Sequence, residues 1–183
     1  METTAQRYDR LAGAFAAKIE AVPDDRWSAQ TPCEEWKAID VVRHVAETPA
    51  MFFGFIGQEI GELPSIDDVG PAAAFAATRT KVQAALDDPA VAGTEFEGFF
   101  GTQTFAESID RFICFDLLVH GWDLAHATGI EEAMDPADVD RLAEASKAFG
   151  DKMRGPGAFG DAVAPPKGAD KQTEVLAYLG RQA

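Results

Sequence analysis

The sequence predicts an all-α fold, and three observations carry that prediction. Apolar residues recur at steps of three and four over several long stretches, which is the repeat of a helix with one buried face. Those stretches open on capping threonine or aspartate or on first-turn proline, and close on glycine or proline. The one segment without helical period, Val91 to Gly101, is short.

The first helix covers Tyr8 to Val22, with Leu11, Phe15, Ile19 and Val22 on one face and Pro23-Asp24-Asp25 closing it. Trp27 to Trp36 reads as an ordered loop with large aromatic anchors. A second helix begins near Lys37, runs through His44 and continues past Pro49 to about Phe55, kinked where the proline lacks a donor. Pro71 starts a third, reaching about Leu86. Phe96, Phe99 and Phe100 then sit among glycines in an irregular stretch or a short hairpin. Thr104-Phe105-Ala106-Glu107 matches a capping box and opens a long helix to Thr128, ended by Gly129. Asp135-Pro136 begins another helix to about Phe149. A proline- and glycine-rich strap from Arg154 to Pro166 leads to a last helix, Lys171 to Leu179. Repeats and linker-like boundaries are lacking, so residues 1–183 are expected to form a single domain.

Composition narrows the function. With 183 residues the chain can bury roughly 70% of its unfolded surface, enough for a core without covalent staples. Sixteen Lys and Arg against thirty-one Asp and Glu give a charge of −15, which repels a phosphate backbone, so nucleic acid is not an expected partner. Neither a membrane-spanning run nor a basic-then-apolar leader is visible, so the expected location is cytoplasmic, with no membrane partner. Cys33 and Cys114 are too far apart for a CxxC motif and are expected reduced, Cys33 as a small buried hydrophobe in preference to a residue edging a pocket from the aromatic loop.

Chemistry concentrates between Phe112 and Ala125. A stripe of Ile109, Phe112, Ile113, Asp116, His120 and Leu124 puts a carboxylate and an imidazole on an apolar face, one helical turn apart. Such a pair either closes on itself as a hydrogen bond or converges on one ion. His44 lies in an equally apolar setting between Val41, Val42 and Val45. One site made of His44, Asp116 and His120 is more economical than two separate buried polar networks. Asp123 is either an outer acceptor for an imidazole N–H or a surface residue. His126 is turned away around the helix and is left out of the site.

The segments Pro32-Cys33-Glu34-Glu35-Trp36, Asp40-Val41-Val42-Arg43-His44 and Val119-His120-Gly121-Trp122-Asp123-Leu124-Ala125 resemble the metal-binding DinB-like proteins related to mycothiol-dependent maleylpyruvate isomerase. So do the closing Gly157-Ala158-Phe159-Gly160 and Leu179-Gly180-Arg181. The resemblance implies a DinB-like four-helix bundle holding a divalent ion, zinc or nickel, with a low-molecular-weight thiol such as mycothiol reaching its open positions. It matches His44 to the first histidine ligand and His120 to the last. Asp116 falls where the isomerase has a glutamate, one methylene longer, so its carboxylate binds the ion directly or through water. The isomerase's second, sterol-carrier-like domain has no room in 183 residues, so metal binding transfers more readily than isomerisation.

Three readings follow. The first is a metal- and thiol-dependent transferase or isomerase acting on a small electrophile, with a metal-dependent hydrolase as its near relative. The second is a non-catalytic bundle that binds a metal or small ligand, and the third is a metal-free bundle. The expected partner is a small-molecule substrate or thiol, with a homodimer left open.

Overall fold

The computed structural model describes residues 2–98, 100–155 and 159–182. Phe99, read from the sequence in an irregular stretch or short hairpin, and Pro156, Gly157 and Ala158 of the strap lie outside the described residues. The chain divides into two compact units, Met1–Glu131 and Glu132–Ala183.

The first unit is a helical bundle. Helix α1 (Thr4–Ala21) starts four residues before the predicted point, because Thr3 and Gln6 form a capping box. Helix α2 (Ala38–Glu47) and helix α3 (Pro49–Phe55) are the expected kinked pair, divided at Thr48. A single turn, α4 (Ile66–Val69), precedes α5 (Pro71–Asp87), and another, α6 (Pro89–Ala92), follows it. The glycine-rich stretch is a hairpin, β1 (Glu95–Gly98) against β2 (Gly101–Thr104), in which Phe96 faces Gln103 and Glu97 faces Thr102. Thr104 then caps α7 (Phe105–Ser108) through the Glu107 N–H, and the Glu107 carboxylate accepts the Thr104 N–H in return. That bond holds the Glu107 carboxyl below its usual range. A π-helical turn (Ile109–Ile113) and α8 (Cys114–Thr128) complete the long helix. Gly129 ends it at φ 77°, the left-handed position that suits glycine.

Four helices make the core: α1 packs on α5 and α8, and α2 packs on the same two. Phe15 meets Phe75 edge-on at 4.9 Å, and the Thr78 hydroxyl donates to the Ala46 carbonyl at 2.8 Å. Pairs at the helix ends fix the directions. Arg7 binds Asp110 while Lys18 reaches the Glu131 carbonyl, so α1 runs parallel to α8. Asp9 binds Arg79 and Ala5 accepts from Gln83, so α1 is antiparallel to α5. His44 lies by Asp116 and Phe52 by Phe112, so α2 and α3 are antiparallel to α8. Residues 56–70 carry the chain back between α3 and α5, which is why the bundle is not a simple up-and-down one.

Helix α8 is the central member. All of its residues are buried except Asp116 and His126, so the predicted single apolar stripe is instead a helix apolar nearly all round. At Gly121 the helix packs closely on α1, where a Cβ would lie in ordinary contact with the Phe15 ring at 3.5 Å. The π turn is the feature that periodicity misses. Its extra residue shifts the phase of the helix, letting Asp110 meet the buried Arg7 at 2.7 Å and leaving Phe112 and Asp116 half-buried.

In the second unit, α9 (Pro136–Phe149) is capped by Asp135 and packs on α10 (Lys171–Tyr178), capped by Asp170. The segment between them is tied down by Val163 N–H donating to Ala177 and by Arg154 donating to the Tyr178 carbonyl. Phe159 lies under the Arg181 guanidinium at 4.8 Å. No helix among the described residues is long and apolar enough to cross a membrane.

Cys114 is fully buried, and burial pushes its thiol up to about 12 against the opposing pull of Arg7. Cys114 should therefore resist iodoacetamide in the folded protein at pH 8 and react fully in denaturant, as read by peptide mass spectrometry. Rapid native labelling of Cys114 would show that α8 is not packed as described.

A candidate metal centre between α2 and α8

Three side chains that are far apart in the chain meet on the facing sides of α2 and α8. One donor atom from each of His44, Asp116 and His120 lies within 4.8 Å of the other two. His44 Nε2 is 3.4 Å from Asp116 Oδ2, and the two imidazole rings stand edge to face at 4.9 Å. His120 is buried, whereas the His44 and Asp116 side chains keep 30% and 20% of their exposure. The group thus opens on one side only.

Each imidazole has one nitrogen already engaged. His120 Nδ1 is 2.9 Å from Oδ2 of Asp123, a carboxylate with no exposed surface. His44 Nδ1 is 3.2 Å from the Thr48 hydroxyl, one turn further along the helix. Both contacts hold the rings at fixed orientation and leave each Nε2 as the second coordinating nitrogen, that of His44 turned to Asp116. Asp123 therefore takes the outer-acceptor role, and its signal in the sequence is its position three residues after His120.

Trp36 completes the wall, with its ring 4.7 Å from His44 and 5.6 Å from His120. The loop holds that ring by a bridge between Gln30 and Lys37 and by the Thr31 hydroxyl donating to the Trp36 carbonyl at 2.9 Å. The corner is made by Glu35 at φ 67°, a left-handed backbone that costs a side-chain-bearing residue about 1 kcal/mol or more. Cys33 corrects the sequence reading. It is only partly buried, and its thiol lies 3.3 Å from Asp123 Oδ2, because the same corner turns it inward onto α8. Cys33, His120 and Asp123 thus form a second group of potential metal donors that shares His120 with the first. His126 stays apart as expected, exposed and stacked on Trp122 at 4.6 Å.

Two imidazoles and a carboxylate suit a borderline divalent ion such as zinc. The donors are close enough to share one ion, and each imidazole has a second nitrogen besides the one bonded to Thr48 or Asp123. The residues present fit the group.

Comparison with known proteins agrees with this architecture. The family model described as the mycothiol maleylpyruvate isomerase N-terminal domain matches residues 8–125, which include α1, α2, α5 and all three candidate donors. The chain belongs to this family. Its relatives include the uncharacterized proteins Rv0738 and MT0763 of Mycobacterium tuberculosis, from strains ATCC 25618 / H37Rv and CDC 1551 / Oshkosh respectively. Each is 31% identical over 176 residues and matched over 95% of either chain. No solved structure matches. The family match ends at Ala125, just past the His120–Asp123 pair, so the second unit lies outside it.

Two outcomes test this local account. Glu35→Gly should be neutral or slightly stabilising in urea denaturation, while Glu35→Val should cost about 1–2 kcal/mol, because only glycine adopts the corner without strain. Asp123→Ala should weaken zinc binding by roughly 10–100-fold in competition with a chromophoric chelator, whereas Cys33→Ser, which keeps a donor for Asp123, should bind as the wild type does.

Proposed function

We propose that this mycothiol maleylpyruvate isomerase N-terminal-like protein binds a divalent ion, zinc or nickel, through His44, Asp116 and His120. In this reading it uses the ion as a thiol-dependent transferase or isomerase on a small electrophile in the cytoplasm. The observation that carries the reading is the meeting of three donors on a half-open face, with the other nitrogen of each imidazole already bonded. A structural metal site is closed by protein ligands, whereas three donors and a partly exposed edge leave room for an exchangeable ligand. The family description supplies the thiol, with mycothiol as the leading candidate.

A divalent ion held in this way would lower the pKa of a bound thiol and polarise a carbonyl. The chain's own residues do the rest. Asp123 and Thr48 hold the two imidazoles in register, and the Trp36 ring screens both from water on one side. Asp116 supplies the negative charge that offsets the ion beside two neutral rings. No further side chain on this face is assigned as a general base, so the thiolate itself is the nucleophile. A hydrolase reading would put water in place of the thiol. A non-catalytic reading would keep the ion and show no turnover.

His120→Ala should abolish metal retention and thiol-dependent turnover together, measured by elemental analysis of the purified protein and by a panel of thiols against small electrophiles. Turnover that survives complete metal removal overturns the mechanism. An ion bound with no thiol-dependent turnover moves the protein to the non-catalytic class.

A further inference from the structure

The candidate metal centre is one end of a longer open face. From His44 the exposed edge of α2 and α3 continues through Thr48 and Met51 to Phe55, and Met51 and Phe55 keep 53% and 50% of their exposure. Along α8 the facing edge runs backwards from Asp116 to Phe112, about 6 Å along the axis, and then into the π turn. Aromatic rings link the two edges. Phe52 lies 5.6 Å from Phe112 and 5.7 Å from Phe55, Phe55 stacks on Phe96 of the hairpin at 5.5 Å, and Phe100 stacks on Phe112 at 6.2 Å. Met51, Phe55 and Phe100 are among the few large apolar side chains that stay exposed, and an exposed apolar cluster is a place where ligands bind.

At the same end sits a cation. The Arg111 guanidinium lies over the Phe100 ring at 5.2 Å and donates one N–H to Gln103 at 3.0 Å. Among the described residues no carboxylate is within ion-pair distance of it. Its charge acts on Glu107 only at longer range, that carboxylate being hydrogen-bonded to the Thr104 N–H and hydroxyl, and Asp110 is bonded to Arg7. In a chain of charge −15 an arginine not paired with an acid, held flat on an aromatic ring beside an open apolar face, is a site for an anion. Arg111 and Phe112 both lie in the π turn and are both half-buried.

We infer that this face binds a small aromatic carboxylate, its ring among Phe55, Phe96, Phe100 and Phe112 and its carboxylate on Arg111. The inference rests on the proposed function only in taking the inner end of the face as the metal centre. The ring and carboxylate positions stand without an ion. A planar ring suits stacked phenylalanines, and the guanidinium fork suits a carboxylate through paired N–H donors. The substrate class that follows is an aromatic or similarly flat acid whose reactive end points towards His44 and Asp116.

The test uses the full chain, zinc-loaded and chelator-treated, titrated with 2-naphthoate and with neutral 2-naphthamide and followed by calorimetry. The wild type should bind naphthoate at least about tenfold more tightly than naphthamide, the loss expected when a charged hydrogen-bonded pair is replaced by a neutral one. Arg111→Gln should erase that preference while leaving naphthamide binding unchanged, and Arg111→Lys should restore part of it. Equal binding of the two probes by the wild type overturns the inference whatever the variants do. So does a preference that survives in Arg111→Gln, or a failure of both probes accompanied by a dimer in sedimentation. A protein that takes up no ion yet shows the Arg111-dependent preference supports this inference and overturns the metal reading. An ion-loaded protein without the preference does the reverse.

Discussion

A buried carboxylate organises the centre of this protein. Asp123 has no exposed surface, and a charge so placed is tolerable only with hydrogen-bond donors around it. His120 on its own helix and Cys33 on the aromatic loop both reach its Oδ2. One oxygen therefore sets the tilt of an imidazole and draws the loop corner down onto α8. Trp36 follows from that, because it stands three residues beyond Cys33 on a corner closed by its own N–H donating to the Cys33 carbonyl at 3.1 Å. The geometry of the candidate metal centre is thus fixed from below by a residue outside the donor set.

The helices were legible because their ends carry local chemistry. Thr104 with Glu107, Asp135 with Pro136, and Gly129 act through a few neighbouring atoms, so short windows of sequence reveal them. The meeting of His44, Asp116 and His120 was legible for a different reason. Polar residues in strongly apolar segments need partners, and three such residues on two helices admit few solutions. What stayed hidden depends on tertiary contact. The π turn lies where Asp110 meets Arg7, a hundred residues earlier, and no periodicity in residues 105–128 contains that contact. The parallel run of α1 and α8 likewise follows from where residues 56–70 return the chain. Cys33 read as a buried hydrophobe because its environment is made by the Glu35 corner and a helix ninety residues away.

Burial also explains why the site faces one way. Helix α8 is enclosed by α1 on one side and α2 on another, and Asp116 and His126 are its only residues not buried. These two face different surroundings. His126 is exposed against Trp122, while Asp116 faces His44 and the Trp36 wall. Of the acids elsewhere Asp138 is buried, whereas those that are exposed act at the range of a Debye length, about 8–10 Å in ordinary salt. Within the face, the local set of one carboxylate, two imidazoles and Arg111 decides what approaches.

The two donor groups that share His120 are not equivalent, and the ring itself separates them. An imidazole offers one nitrogen to each side. On the side of Cys33 and Asp123, Nδ1 is already bonded to a carboxylate with no exposed surface, and the thiol is bonded to the same oxygen. An ion placed there would have to displace both bonds and give up both protons. On the other side of the ring lie His44 and Asp116, which keep part of their exposure, and an ion held there through His120 Nε2 would break neither of the Asp123 bonds. Such an ion would be strengthened by Asp123, because the carboxylate raises the basicity of the ring that would carry the metal. Of the two candidate groups, the inner one is thus suited to support and the outer one to hold an ion.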